Sequence, residues 1–179
     1  MKRRQRAFRH GGVWLRPLTA ADIELTRVWR NRDEVRRWFK DSAVITADQQ
    51  RYWFDAYRKQ SDDFVWLVED AARPGEVVGQ ASVYAIDWDA KKAEIGRFIA
   101  APRARGMGNM IAACRAVIHY CFVELDLDML MLDVFIENVI ALHIYRKCGF
   151  MSLTQEGGVV GMVLTRQAWS EQREETDAI

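Results

Sequence analysis

The stretch RARGMGNM, residues 103–110, sets two glycines one residue apart among arginines. Directly after it Ile111, Cys114, Ile118, Cys121, Phe122 and Leu125 recur at helical spacing. That order constrains the middle of the chain to a turn feeding a helix with one buried face. A helix starting near Gly108 leaves its first N–H groups without intrahelical acceptors, and with the macrodipole these make an anion site. Glycines just ahead of it permit positive φ and a close approach to a bulky phosphate, and Arg103 and Arg105 add charge. Two readings stay open at this point, an ordinary Gly-x-Gly turn and a pyrophosphate cradle. The pattern is not a P-loop, because no Lys-Ser/Thr follows Gly108. It also departs from the six-position dinucleotide fingerprint, which asks for glycine or alanine where Ile111 stands.

At 179 residues, half of them hydrophobic and with a formal net charge of +1, the chain has the size of one domain with its own core. No apolar run is long enough to cross a bilayer, and MKRRQRAFRH lacks the apolar stretch of a secretory leader, so a cytoplasmic protein without a membrane partner is expected. Cys114, Cys121 and Cys148 are odd in number and lack CxxC spacing, which argues for buried thiols and against a disulfide framework or a metal site. The basic start reads as a solvated tail over residues 1–12, with no nucleic-acid partner because acidic residues offset it. The domain is expected over residues 13–170, with a polar tail over 171–179.

VWLRPLT alternates as a first strand does. Thr19 with Asp22 resembles a capping box, so residues 20–39 are expected to be helical, and Thr46 opens a second helix carrying Trp53, Phe54 and Tyr57. DFVWLVED, EVVGQASVYAID and KKAEIGRFIAA read as an antiparallel meander. MLMLDVF is the kind of apolar run found in a strand covered on both faces. NVIALHIYRKCGF is helical, with Asn138 as a candidate N-cap and Gly149 as a left-handed stop. VVGMVLTR closes the sheet.

Arg103-x-x-Gly106-x-Gly108, followed by Asn138-x-x-Ala141-x-x-x-Tyr145-x-x-x-Gly149-Phe150, resembles the two most recognisable motifs of the GCN5-related N-acetyltransferase (GNAT) superfamily. The likeness covers residues 15–164. It implies an α/β (α+β) GNAT fold: a mixed, twisted sheet of about six to seven strands flanked by about four helices, with EIGRFIA and LMLDVF splayed to admit acetyl-CoA. By resemblance, Arg103 and the backbone of Arg105, Gly106, Met107, Gly108 and Asn109 hold the pyrophosphate, and Asn138 touches the cofactor arm. An oxyanion donor lies at the main chain of Phe98 or Ile99, and Tyr145 donates the proton to the leaving thiolate. From periodicity alone Tyr145 reads equally as a packing aromatic.

Glu94 is the candidate base, acting through water, and strand alternation places it on one face with Gly96 and Phe98. A partnered surface glutamate is the plainer reading. His119 and His143 read as surface or interhelical residues. The acceptor is a small-molecule amine, and the segment VWRNRDEVRRWFKDSAVITADQQRYWF is similar to sugar-nucleotide N-acetyltransferases acting on 4-amino-4,6-dideoxy sugars, and in part to ribosomal-protein and polyamine acetyltransferases. Arg30, Arg32, Arg36 and Arg37, with Trp38 and Phe39 close by, could meet a diphosphate and a base or sugar, because forked guanidinium donors suit the one and flat rings the other, and among them Arg30, Asn31 and Trp38 are the candidate substrate contacts. A polyamine ranks lower, since this segment holds no acidic run. Family members are often dimers, so a homodimer is compatible with the sequence, which fixes no interface.

Overall fold

A computed structural model of the chain describes residues 5–177. Its core is one eight-stranded sheet. The strands are β1 (Phe8–His10), β2 (Val13–Pro17), β3 (Phe64–Asp70), β4 (Val77–Asp87), β5 (Lys92–Ala100), β6 (Met129–Phe135), β7 (Met151–Glu156) and β8 (Val159–Thr165). They lie in the order β1-β2-β3-β4-β5-β6-β8-β7, and every neighbouring pair is antiparallel except β5 and β6. The helices are α1 (Ile23–Asn31), α2 (Asp33–Arg36), α3 (Ala47–Tyr57), α4 (Asn109–His119), α5 (Val139–Lys147) and α6 (Arg166–Asp177). Among the described residues no helix is long and apolar enough to cross a membrane.

The central strands form because their side chains have somewhere dry to go. Phe64, Trp66, Val68, Val83, Ile95 and Leu130 are all at most 1 % exposed and join one cluster with the α4 face of Ala113, Cys114, Val117 and Ile118. The end of α4 widens into a π-turn over Tyr120–Glu124, closed by the Leu125 N–H donating to the Tyr120 carbonyl at 3.0 Å. Tyr120, Cys121 and Phe122 are consecutive and all buried there. The three cysteines are free and buried.

The Thr46 start is capped as its spacing implies: Thr46 Oγ1 accepts from the Gln49 N–H and Gln49 Oε1 accepts from the Thr46 N–H. Asn138 Oδ1 caps α5 by accepting from the Ala141 N–H at 3.2 Å. The expected helix over residues 20–39 is instead two. Asp22 serves Thr19 and the Arg16 guanidinium rather than a helix amide, so α1 begins at Ile23. Arg32 then turns extended, at φ −61° and ψ 136°, which ends α1 and restarts the chain as α2.

The terminal segments also differ from expectation. Residues 5–12, read as part of a solvated tail, are docked: Phe8 stacks on Tyr120 at 4.5 Å, Trp66 Nε1 donates to the Arg6 carbonyl, and β1 pairs along β2. An apolar anchor at Phe8 outweighs the solvation of the flanking arginines. Residues 171–177, expected as a polar tail, continue α6, whose Trp169 lies against Phe122. Residues 1–4 and 178–179 of the two expected tails lie outside the described residues. Among the described residues, eight strands and six α-helices stand against the expected six to seven and four, the additions being β1, β7, the α1–α2 division and α6.

Candidate active site

The site begins where β5 and β6 part. They pair only at Lys92↔Met129, Ala93↔Leu130 and Glu94↔Met131. Beyond Glu94 the strands diverge, leaving a wedge that opens toward Ala100 and Phe135, as the resemblance implied for this pair. β6 is covered on one face only, contrary to expectation: Leu130, Leu132 and Val134 are buried while Asp133 is exposed and Phe135 half-buried. The uncovered face lines the cleft.

On the helix side of the wedge, α5 brings in Tyr145, 8 % exposed, its ring edge-on to Phe98 at 6.1 Å and to Phe150 at 6.0 Å. Burial, and then the neighbouring Cys114 thiol, push its phenol well above the ordinary tyrosine range, so it stays protonated at any physiological pH. Such a group gives up its proton only to a base that is desolvated alongside it in the same dry site.

Phe98 reaches that ring because of an irregularity invisible in the sequence. Gly96 pairs with Ser82 but Ile99 pairs with Gln80, so Arg97 and Phe98 together stand across from Ala81. Arg97 takes φ +51°, and the bulge puts Ile99, not Phe98, on the face shared by Glu94 and Gly96. The one-face grouping of Glu94, Gly96 and Phe98 is thereby corrected. A bulge leaves one backbone N–H out of the ladder, beside the place expected for the oxyanion donor. Arg97 is held by Asp63 at 2.8 Å and lies 4.0 Å over the Tyr84 ring.

Glu94 is half-buried and opposite Tyr84 in the β4–β5 register. Burial, then the Glu94 carboxylate, push the Tyr84 phenol up to about 12. Asp133 faces the same cleft and receives Lys40 Nζ at 2.9 Å. Tyr84 and Asp133 escaped sequence reasoning. A lone carboxylate inside MLMLDVF was the available signal for Asp133, whereas Tyr84 needed the cross-strand register.

The turn over residues 103–109 fits a phosphate-bearing cofactor on three counts. Gly106 and Gly108 adopt φ +76° and +78°, and a Cβ at either would meet nothing within 4 Å, so the backbone is bare on that side. Gly108 is the N-cap of an eleven-residue helix, α4, whose first N–H groups point out of it. Asn109 Nδ2 is buried without a hydrogen-bond partner, a donor that a ligand oxygen would satisfy. The side chain of Arg105 is engaged by Glu34 of α2 at 3.0 Å. Arg32, read from the sequence as an acceptor-side diphosphate donor, instead reaches this place from the break between α1 and α2, donating to the Ala100 carbonyl at 2.8 Å, with its Nε 3.7 Å from the Glu34 carboxylate and its Nη1 buried without a hydrogen bond. A cavity of about 500 Å³ beside residues 101–104 is lined by Trp29, Glu76, Val77, Val78, Pro102 and Arg103, so the structure places Arg103 there, and no tyrosine joins its lining.

The expected substrate contacts are placed otherwise. Arg30 lies 3.7 Å over the Phe39 ring and donates to the Asp41 carbonyl. Asn31 holds Ile45 in both directions, donating to its carbonyl and accepting from its N–H at 2.8 Å each. Arg36 is bound by Asp33 and the Ser42 carbonyl. These side chains brace the loop over residues 37–45, with Arg30 Nη1 buried and left without a hydrogen bond. Trp38 does border the cleft, 6.5 Å from Phe135.

Comparison with known proteins accords with this arrangement. A family model described as "Acetyltransferase (GNAT) domain" matches residues 13–151. Spermidine N(1)-acetyltransferase of Escherichia coli (strain K12) is 30% identical over 138 residues, covering 77% of this chain and 72% of its own. Acetyltransferase PseH of Campylobacter jejuni is 24% identical over 133 residues, covering 74% and 79%. The crystal structure of spermidine N-acetyltransferase from Vibrio cholerae in complex with CoA and spermine superposes with a TM-score of 0.81 at 22% identity, over 90% of this chain and 99% of that one.

Proposed function

The chain belongs to the acetyltransferase (GNAT) domain family and is an N-acetyltransferase acting on amines, and on that premise we propose that its acceptor is a small cationic amine of the polyamine kind. One observation carries this reading. The open face of the wedge offers the carboxylates of Glu94 and Asp133, while Arg30 and Arg36, two of the arginines that would suit a nucleotide diphosphate, are engaged by Asp33 and by the carbonyls of Asp41 and Ser42. The acidic cluster that the α1–α3 segment lacks, its Asp33 and Glu34 being paired with Arg36 and Arg105, comes from the sheet instead.

Acetyl-CoA supplies an activated acetyl thioester when bound. The backbone N–H groups of residues 105–109, with Asn109 Nδ2, receive its phosphates. Glu94 takes a proton from the incoming ammonium through water, which leaves the neutral amine needed as nucleophile. The N–H freed by the bulge at Arg97 stabilises the negative oxygen that develops. Tyr145, kept protonated by its burial, gives its proton to the departing thiolate, and the dry contact with Phe98 and Phe150 fixes its ring. Arg30 and Asn31 serve as positioning residues for the loop that carries Trp38.

A nucleotide-linked 4-amino sugar is the second reading, favoured by the likeness to PseH and by the Trp38 and Phe135 rings at the cleft mouth. CoA release followed with a thiol reagent separates the two. Turnover of spermidine or spermine, with UDP- and dTDP-linked 4-amino sugars and ribosomal N-terminal peptides inert, is the expected result. Turnover restricted to a sugar nucleotide or a peptide would overturn the cationic acceptor.

A further inference from the structure

The cleft already contains one ammonium. Lys40 lies in the loop between α2 and α3, 93 residues from its partner in sequence, and its Nζ sits 2.9 Å from Asp133 Oδ2 on the open face of β6. The hydrogen bond to Asp133 and then the charge of Glu94 raise the Lys40 pKa, so both wedge carboxylates act on this cation. Its position is imposed by the loop. Phe39, one residue back, is covered by the Arg30 guanidinium, Asp41, one residue on, has its carbonyl bound by Arg30, and Ser42 is bound by Arg36. The backbone on either side of Lys40 is therefore anchored to α1 and α2 while the side chain reaches across to the sheet.

We propose that Lys40 is an internal stand-in for the acceptor: its ammonium holds, at Asp133, the place that an acceptor ammonium takes during turnover, so that acceptor binding is an exchange of one cation for another. The inference rests on the cationic-amine reading and sharpens it. The Lys40 side chain is 77% exposed and Asp133 48%, so the contact is a solvent-screened pair worth little, and an incoming ammonium displaces it easily. In the free enzyme it offsets the charge of Asp133, which would otherwise attract any passing cation. Selection then follows from charge: an ammonium that displaces Lys40 gains Asp133 in return, whereas a neutral amine or an anion gains no such contact, and an acceptor with more than one ammonium gains most.

The test compares wild type, Lys40→Met, Lys40→Arg, Asp133→Asn and the double variant Lys40→Met/Asp133→Asn, with spermidine as acceptor and CoA release as readout. Lys40→Met should lower the spermidine KM by about two- to five-fold, the value of an exposed ion pair, with the acetyl-CoA KM unmoved. Lys40→Arg, which keeps the charge, should leave the KM near wild type. Asp133→Asn should raise the KM and erase the effect of Lys40→Met, a coupling that mere bracing of the loop would not produce. Turnover with a spermidine KM that Lys40→Met leaves unchanged or raises overturns the exchange while keeping the cationic acceptor. Turnover by none of the five overturns both, and turnover by Lys40→Met alone supports the exchange in its strongest form.

Discussion

Replacing Gly108 by alanine gives the most discriminating test of the cofactor cradle, because the structure separates its two costs. The residue sits at φ +78°, and an added Cβ would meet no protein atom within 4 Å. The damage to stability is therefore conformational alone: about 1–2 kcal/mol for an alanine held in the left-handed region, reduced by about 0.4–1 kcal/mol because alanine also loses freedom in the unfolded chain. A net loss of about 1 kcal/mol lowers Tm by roughly 2–4 °C in a chain of this size. Gly75, in the turn between β3 and β4, is a matched control, with φ +86° and likewise nothing within 4 Å. Gly75→Ala and Gly108→Ala should thus shift Tm alike. They should part in kinetics, since the methyl group at residue 108 occupies the space where a phosphate must approach backbone donors. Loss of one charge-assisted hydrogen bond, about 1.5–3 kcal/mol, raises the acetyl-CoA KM by about ten- to a hundred-fold, and Gly75→Ala leaves it unchanged. Calorimetry with initial rates at varied acetyl-CoA decides the matter. An acetyl-CoA KM for Gly108→Ala within two-fold of that for Gly75→Ala would refute the cradle.

Tyr145→Phe removes the proton donor at nearly constant volume, so kcat should fall by about 10²–10⁴-fold while calorimetric binding of CoA persists; unchanged turnover removes Tyr145 from the chemistry. Asp22→Asn breaks the forked pair with Arg16, at 2.8 and 2.9 Å, and the bond from the Thr19 N–H, for an expected loss of about 3 kcal/mol in urea unfolding. Burial alone would raise the Asp22 carboxyl, but Arg16 and Thr19 outweigh it and hold it below its ordinary 3.8. Its contribution is therefore present above pH 4 and lost as pH falls through the lowered value, and Asp22→Asn should flatten the acid limb of stability. His10 and His119 stack at 4.3 Å beside Arg173 and Trp169. Burial, with mutual and Arg173 repulsion, lowers the His10 pKa from 6.5, and burial with Arg173, against the opposing pull of Glu124, lowers that of His119. Stability should hold above pH 6.5 and decline below it, and His119→Gln should weaken that decline in Tm measured against pH.

The parts of this protein that sequence exposed are those whose partners lie within one turn. The Thr46 helix start, the Asn138 cap and the Gly106–Gly108 turn each close over three residues or fewer, whereas Thr19 and Asp22 share that spacing but are claimed by Arg16. The parting of β5 from β6 also lay within reach, because the motifs flank it on both sides. The features that escaped depend on pairings made across the fold. The bulge at Arg97 exists only in the register against Gln80 and Ser82, and Tyr84 meets Glu94 only through that ladder. Arg30 and Arg36 carry the residue types of a diphosphate site, yet the backbone carbonyls of Asp41 and Ser42 claim them first. Composition could not show that competition. β1 was hidden by the arginines around it, since the rings that hold it, Phe8 on Tyr120 and His10 on His119, meet partners more than a hundred residues away.

The wedge also has a mechanical meaning. Three paired positions, Lys92 to Glu94 against Met129 to Met131, join the strands on one side of the sheet to those on the other, whereas β6 and β8 pair along seven positions from Met129↔Thr165 to Phe135↔Val159. The sheet is thus two panels on a short seam, with α4 packed on the panel of β1 to β5. Any molecule that fills the wedge and bonds to both walls supplies the rungs that the backbone omits, and stiffens the joint as it binds. In hydrogen exchange the amides of residues 95–100 and 132–135 that face the gap would register this most strongly, so the acetyl donor is at once a reagent and a rivet.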